Sequence, residues 1–151
     1  LADINRGTFY LHYSDVYDML SKIEEELFLE FNEILERDLA KEGSGPMISK
    51  PVLLDLFVFL ENNRDLAKVL TGPHGDMAFI NRLKELVKEK LRLMMDNAES
   101  AVEHFDYFYS FMVAGCIGVI ECWLNQRSPV SPEEIAGYCS ALLLGGLPAV
   151  Q

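Results

Sequence analysis

The sequence predicts an all-α fold, and three observations lead to that prediction. Apolar residues recur every three or four positions along several segments, which is the spacing of one face of an α-helix. No segment shows the strict alternation of apolar and polar residues that is typical of strands. Residues that cap or break helices stand between the segments. With 151 residues and 50% hydrophobic content, the chain can hold one full domain and a smaller piece.

The first predicted helix is short and lies between Asn5 and Tyr13. Asn5 is a good N-cap type, because its side-chain oxygen can accept a hydrogen bond from an amide of the first turn. Phe9 and Tyr13 lie four residues apart and can pack inward on one side. Thr8 and Tyr10 are then able to offer hydroxyl groups to a phosphate backbone. Composition alone leaves open that the aromatic residues merely pack against their neighbours.

The remaining helices follow in order along the chain. A long amphipathic helix begins at Val16, after the capping residues Ser14-Asp15, and ends at the linker 41–46. Its glutamates are interpreted as a solvated face rather than as a metal site. Five later helices are predicted. The second helix of this part starts at Pro51, a short one covers 65–70, and another follows Asp76. The last two cover Glu103–Asn125 and begin at Ser131-Pro132-Glu133-Glu134, where Ser131 and Glu134 form a capping box.

The charge distribution argues against a general nucleic-acid coat. The net charge is −11, and the first 45 residues hold eleven acidic and four basic side chains. Five basic residues lie between Arg82 and Arg92, with Glu85 and Glu89 among them at pairing distance. A solvated helix face is therefore favoured there over a second DNA surface.

Cysteines, histidines and hydropathy exclude further classes of protein. Three cysteines without a C-x-x-C pair predict no metal site, no disulfide framework and a reducing cytoplasm. No cofactor is expected. The longest uncharged stretch, Tyr107 to Ile120, has 14 residues and predicts a buried helix rather than a membrane span. We predict that the protein is not an enzyme, since no nucleophile signature or glycine-rich phosphate loop accompanies the three histidines.

Two parts of the chain resemble one known family. The string Gly7-Thr8-Phe9-Tyr10-x-His12-Tyr13, followed by Asp15-x-Tyr17-Asp18-x-Leu20, resembles the end of the helix-turn-helix of TetR-family transcriptional regulators. Residues 111–124 with 131–135 resemble the last two helices of the regulatory domain in the AcrR-like branch of that family, and 63–79 is similar to it too. The resemblance implies two domains: the second half of a helix-turn-helix domain at 1–20, and a helical regulatory, ligand-binding and dimerisation domain at 21–151.

The resemblance also implies roles in DNA binding for the first helix. Arg6 and Gly7 are expected to face the major groove, and Phe9 and Tyr13 to form the small core of the helix-turn-helix. The expected DNA-binding residues are Asn5, Arg6, Gly7, Thr8, Tyr10 and His12, the last three holding phosphates.

Two departures from the family pattern limit this expectation. Val16 stands where the family usually has a basic residue. The chain also begins at Leu1, without the two helices that precede a recognition helix, so we expect the 151-residue chain to bind an operator poorly.

The last two predicted helices could form a homodimer interface. Gly115 and Gly118 lie three apart and would let a second helix approach closely, with Trp123 adding apolar area. A two-fold dimer would match a palindromic operator. The alternative is that these residues fill the core of one protomer. The predicted interface residues are Gly115, Gly118, Val119, Cys122, Trp123, Leu142 and Leu143.

A pocket for a small apolar effector is the least determined element. Methionine and aromatic side chains supply the adaptable apolar surface of such a pocket, although at helical spacing they equally suit a plain core. The predicted pocket residues are Phe57, Met94, His104, Tyr107, Phe108, Phe111 and Met112.

These observations predict a dimeric DNA-binding regulator, a repressor whose affinity for double-stranded operator DNA is controlled by a small apolar effector. No membrane partner is expected. The alternative is a TetR-like co-regulator or partner-binding module that has lost operator binding, which Val16 and the acidic first 45 residues favour.

Overall fold

The computed structural model describes residues 14–39, 49–73, 75–96, 104–127 and 129–146, and every regular element in these ranges is an α-helix. The all-α prediction is thus confirmed for this part of the chain. Six helices are present there: α1 (Val16–Leu39), α2 (Lys50–Asn62), α3 (Arg64–Thr71), α4 (Met77–Asp96), α5 (Phe105–Asn125) and α6 (Pro132–Gly146). Helix α1 runs without a break across residue 20, where the two domains were predicted to meet.

Side chains cap α1 and α6 at the predicted residues. The Asp18 amide donates to Asp15 Oδ1 at 2.8 Å, and the Ser14 amide donates to Asp18 Oδ2 at 2.8 Å. This second bond is the main reason that the pKa of Asp18 lies below its ordinary value. At α6 the Glu134 amide donates to Ser131 Oγ and the Ser131 amide donates to Glu134 Oε2, so the predicted capping box is confirmed.

Helix α2 lies at the centre of the fold, against α1 on one side and α6 on the other. Three groups of buried side chains hold the helices together. The first joins α2 and α3 to α5 and α6 around Trp123 and Leu124, which are 2% and 0% exposed. The second joins α1 to α2, α3 and α4, and the third joins α4 to α5. The core is therefore continuous from α1 to α6.

Basic residues of α4 pair with other helices rather than with Glu85 and Glu89. Lys88 and Arg92 both reach Asp106 at the start of α5, at 3.0 and 3.3 Å. On the opposite side of α4, two ion pairs reach α1: Arg82 with Glu25 at 2.6 Å and Lys90 with Glu36 at 3.0 Å. The Arg82 and Arg92 pairs are about half exposed or more, as expected of a solvated face, but their partners lie on other helices, which the spacing within α4 could not indicate.

Helix α5 is the one described helix that is long and apolar enough to cross a membrane, with a mean hydropathy of 1.5 over 18 residues. Length and composition alone are weak arguments for a span, because the core helix of a soluble protein meets the same criteria. The helix has 21 residues and is thus longer than the uncharged 14-residue stretch from Tyr107 to Ile120, whose length was the reason for predicting no membrane span. Its inner face buries Tyr109, Met112, Trp123 and Leu124 in the fold.

Glu24 on α1 carries an unfavourable charge. Its Oε1 is buried and accepts no hydrogen bond from the described residues. Burial, and secondarily the charge of Asp76, raises the pKa of Glu24 above its ordinary value. The folded protein therefore holds this proton more tightly than the unfolded chain, so the contribution of Glu24 to stability falls as the pH rises through that range.

We expect Glu24→Gln to stabilise the protein at pH 7, because the amide removes the poorly solvated charge. The gain is expected to be at most about 1 kcal/mol in urea unfolding. It should disappear below about pH 4, where the glutamate is protonated in both states. Glu26→Gln, at an exposed position of the same helix, is the control. Equal stability of Glu24→Gln and the parent at pH 7 would contradict the assignment.

Candidate functional site

A cavity of about 360 Å³ lies within the helical body, and all six described helices contribute to its wall. Its lining is almost entirely apolar. From α1 it receives Leu27, Phe31 and Leu35, and from the facing side of α5 it receives Met112 and Ile117. Its volume lies at the lower end of the range for pockets that bind small molecules.

Side-chain contacts join the middle and last part of α4 to the start of α5. The Tyr109 hydroxyl donates to the carbonyl oxygen of Lys84 at 2.5 Å. Asp106 accepts from Lys88 and Arg92 close by, and this pairing with Lys88 is the largest cause of the low pKa of Asp106. Towards the other end of α5, Arg64 of α3 donates to two carbonyl oxygens of α5 instead. The cavity-lining residues of α5, from Met112 to Glu121, lie along the helix between these two sets of contacts.

Few polar side chains line the cavity. Asn63 and Thr71 each donate to a backbone carbonyl of their own helical segment, Phe59 and Ala67 respectively, so these donors are already engaged. The charged lining residues are Lys84, Lys90 and Glu121.

Two cysteine thiols line the cavity as well. Burial, and secondarily the neighbouring Cys139, raises the pKa of Cys116 to about 11. Burial also raises the pKa of Cys139 above its ordinary value. Both thiols are therefore protonated at neutral pH and behave as small apolar groups rather than as nucleophiles.

The outer faces of α5 and α6 form a second candidate site, because they expose apolar and small residues. Phe111 and Leu142 are 82% and 69% exposed. A Cβ atom built at Gly115 or Gly118 would meet no heavy atom within 4 Å, so packing within the protomer does not require glycine there. Glycine inside a helix costs about 1 kcal/mol relative to alanine. We call this surface the outer α5–α6 face; its exposed residues are Phe111, Ala114, Gly115, Gly118, Cys122, Tyr138, Ala141, Leu142 and Gly145.

The family model for the C-terminal region of TetR-type transcriptional regulators matches residues 49–145, nearly two thirds of the chain. The chain belongs to the TetR family of transcriptional regulators. No match was found among curated proteins or among solved structures. The matched residues span α2 to α6, and therefore include the outer α5–α6 face and every wall of the cavity except that formed by α1. The family prediction from the sequence is thus confirmed.

Two of the predicted pocket residues in this TetR-family regulator line the cavity, Phe57 and Met112. Tyr107 and Phe111 do not: they are 79% and 82% exposed on the opposite side of α5. The physical reason is that the side of α5 that carries Met112, Trp123 and Leu124 packs in the core, so the opposite side faces outward. The side chain of Met94 lies outside the described residues.

His104 and Phe108 also lie outside the cavity wall. His104 is exposed and precedes α5 in a left-handed conformation, with φ of 58°. Phe108 is half-buried and packs against the third buried group, beside Tyr109. Neither residue therefore contributes to the cavity wall.

The predicted dimer residues divide between the surface and the core. Gly115, Gly118, Cys122 and Leu142 are exposed on the outer α5–α6 face. Val119 and Leu143 are half-buried and pack against the first buried group. Trp123 is placed in the core and not on this face, which corrects its assignment. Its ring lies edge-on to Phe57 with centroids 5.3 Å apart, and its Nε1 donates to the Val130 carbonyl at 2.8 Å.

The predicted DNA-binding residues 5–8, 10 and 12, and the predicted helix-turn-helix core residues 9 and 13, lie outside the described residues. The first described turn of α1 exposes Val16 and Tyr17, at 62% and 82%. Val16 thus occupies an accessible position, where a basic residue would have been free to reach a phosphate.

Lys84 and Lys90 were not predicted from the sequence as lining residues of the cavity. For Lys84, the sequence contains a signal that could have identified it. On α4 the residues Met77, Ile80, Val87 and Leu91 follow the three-and-four spacing of one helix face, and Lys84 stands in that series. A lysine within an otherwise apolar helix face is unusual for a simple core, and could have been singled out as a wall residue of a pocket.

Proposed function

We propose that this TetR-family protein is a homodimeric repressor in the cytoplasm, whose affinity for operator DNA is controlled by a small apolar effector bound in the cavity. One observation carries the proposal: α1, which follows the predicted recognition helix directly, also supplies part of the cavity wall through Leu27, Phe31 and Leu35. A ligand in the cavity thus touches the element that leads to the DNA-binding residues. Ligand and DNA would bind with negative coupling if each favours a different position of α1.

Contacts between α1 and α4 support this coupling. The Lys90 ammonium, whose side chain lines the cavity, pairs with Glu36 of α1 at 3.0 Å. Arg82 pairs with Glu25 and lies over the Phe28 ring at 3.7 Å from its centroid. The Arg82–Glu25 pair is about half exposed, and exposed ion pairs contribute little, so this contact between α1 and α4 can rearrange at a small energetic cost.

The outer α5–α6 face supports the homodimer. Its exposed Gly115 and Gly118 on α5 would allow helices of a second copy to approach closely, as in a four-helix interface across a two-fold axis. Such symmetry suits two recognition helices that enter successive major grooves about 34 Å apart. In each copy we propose that Arg6 and Gly7 face the groove, that Thr8, Tyr10 and His12 hold phosphates, and that Asn5 begins the helix.

One observation favours a second candidate, a TetR-family co-regulator that binds a partner but no operator. Val16 is exposed at the start of α1 and offers no charge to a phosphate. The described part of α1 is also strongly acidic, with Glu24, Glu25 and Glu26 in succession.

An electrophoretic mobility shift distinguishes the two candidates. We expect the protein expressed from its own gene to shift DNA from its upstream region. Combining Tyr10→Phe with His12→Ala should weaken that binding by roughly 10-fold or more, because two proposed phosphate contacts are lost. Binding should fall steeply with added salt. As the control, Asn81→Ala changes an exposed side chain of α4, outside the outer α5–α6 face and the cavity wall, and should leave DNA binding unaltered. No shift at low salt without ligand would favour the co-regulator.

A further inference from the structure

We infer that the ligand of the cavity is an anionic amphiphile, an apolar chain with a terminal carboxylate that Lys84 binds. The inference rests on the proposed function, since it assumes that the cavity holds an effector, and it specifies the chemistry of that effector.

The wall of the cavity requires an apolar body. Side chains of leucine, phenylalanine, isoleucine and valine make up most of the lining, and the two thiols in it are protonated. A polar group placed in the middle of this wall would lose its hydration without gaining a partner, which costs several kcal/mol on alkane-transfer scales, so polar atoms of the ligand must be confined to one end. The volume of about 360 Å³ suits one unbranched chain of medium length better than a large ring system.

Lys84 is the group that selects the head of the ligand. It lines the cavity, is half-buried, and its ammonium has no acidic partner within 4 Å among the described residues. By contrast, Lys88 and Lys90 on the same helix are each paired with a carboxylate. A partly desolvated charge without a counterion is unfavourable, so binding an anion there gains a charge-assisted hydrogen bond without breaking an existing ion pair.

The other charged lining residues do not favour a different head group. Lys90 is already neutralised by Glu36, and its side chain is only 15% exposed. Glu121 is an exposed residue, so water solvates its charge and weakens its attraction for a cation. Half-buried Lys84 is therefore the stronger electrostatic determinant, and it favours a carboxylate over an ammonium group.

Three ligands with the same chain and different head groups test the inference: dodecanoate, 1-dodecanol and dodecylamine, each used below its solubility limit and, for the two ionic compounds, below the critical micelle concentration. Their binding to the 151-residue chain is measured by displacement of the neutral dye Nile red. We expect dodecanoate to bind about 10-fold more tightly than 1-dodecanol, the lower end of the effect of a charge-assisted hydrogen bond, and dodecylamine to bind most weakly.

Variants of Lys84 test whether this residue causes the preference for dodecanoate. Lys84→Met should bring dodecanoate binding to the level of 1-dodecanol while leaving 1-dodecanol within about twofold of its original affinity, because the apolar wall is retained. Lys84→Arg should keep the preference for dodecanoate. Lys68→Met, which changes a half-buried lysine outside the cavity wall, is the matched control and should alter neither ligand.

The outcomes separate the inference from the proposal on which it rests. If no amphiphile displaces the dye or binds in calorimetry, the cavity does not hold an effector of this kind and both fail. If 1-dodecanol or dodecylamine binds the parent protein as tightly as dodecanoate, the cavity binds ligands but the assigned head group is wrong. The comparison on the parent protein decides this even if Lys84→Met does not fold.

Discussion

Replacing Arg64 by methionine is expected to lower the free energy of unfolding by about 3 kcal/mol, the largest stability effect that we predict for a single polar side chain of this regulator. The Arg64 Nη2 donates to the carbonyl oxygens of Trp123 and Leu124, at 3.0 and 2.9 Å. Both carbonyls belong to the last turn of α5, where carbonyls lack partners within the helix. The Trp123 oxygen also accepts from the Gln126 amide at 3.4 Å, so the Leu124 oxygen depends more on Arg64. Methionine preserves the apolar stem but leaves both oxygens without this donor.

Two further contacts of Arg64 add to the expected loss. Its guanidinium lies 4.9 Å from the centroid of the Trp123 ring, a cation–π contact, and its Nη1 pairs with Glu61 at 2.8 Å. The ion pair is partly exposed and contributes least. Because the Arg64 side chain is 19% exposed, water cannot fully replace the lost donors.

Urea unfolding of Arg64→Met and the parent measures this loss, at one fixed protein concentration because any dimer would couple stability to concentration. Arg127→Met is the matched control, since Arg127 is exposed just beyond the same helix end. Arg64→Lys should fall between them, because one ammonium cannot hold both carbonyls in the fixed geometry of a guanidinium. A loss below about 1 kcal/mol for Arg64→Met would show that water satisfies the end of α5.

Replacing Gly118 by leucine is expected to raise the dissociation constant of the proposed homodimer by about 100-fold. In a two-fold interface the new side chain appears twice, and each overpacked site costs about 1–3 kcal/mol. The protomer itself should not be destabilised, because a Cβ atom at Gly118 would meet no heavy atom within 4 Å. It should gain slightly, since leucine favours helix more than glycine does.

Sedimentation equilibrium over a range of concentrations measures the dimer constant, and circular dichroism of the diluted monomer measures its stability. Glu89→Leu provides the control, because it adds the same side chain at an exposed position of α4, away from the outer α5–α6 face. An unchanged dimer constant for Gly118→Leu would remove this face from the interface. A destabilised monomer would mean that Gly118 is needed within the protomer.

Helix existence and ends could be predicted from the sequence where local chemistry decides them. Ser131 and Glu134 cap α6 through bonds that depend only on residues three apart, and Pro51 lies in the first turn of α2 as expected. The orientation of α5 could not be predicted, because that helix is apolar on all sides and its periodicity does not identify an inner face. Packing against α2 and α3 determines which side of α5 faces the core, and it places Trp123 inward and Phe111 outward.

The candidate cavity shows the same division between local and tertiary information. Phe57 and Met112 could be proposed for its wall because their residue types suit an apolar pocket. The ion pair of Lys90 with Glu36 joins residues 54 positions apart, so no local pattern could indicate it. Lys84 was detectable as an interruption of the apolar face of α4, but its lack of an acidic partner among the described residues becomes visible only once all helices are in place.

The 24-residue length of α1 has a mechanical consequence. At 1.5 Å per residue the helix is about 36 Å long, and Leu35 in the cavity wall lies about 28 Å from Val16 along its axis. A tilt of about 5° with its pivot near Leu35 would move the start of the helix by roughly 2–3 Å. With that pivot Leu27, about 12 Å away along the axis, would move by about 1 Å, so the helix would amplify a displacement at the cavity wall roughly twofold at its start, which is the end nearest the proposed recognition helix.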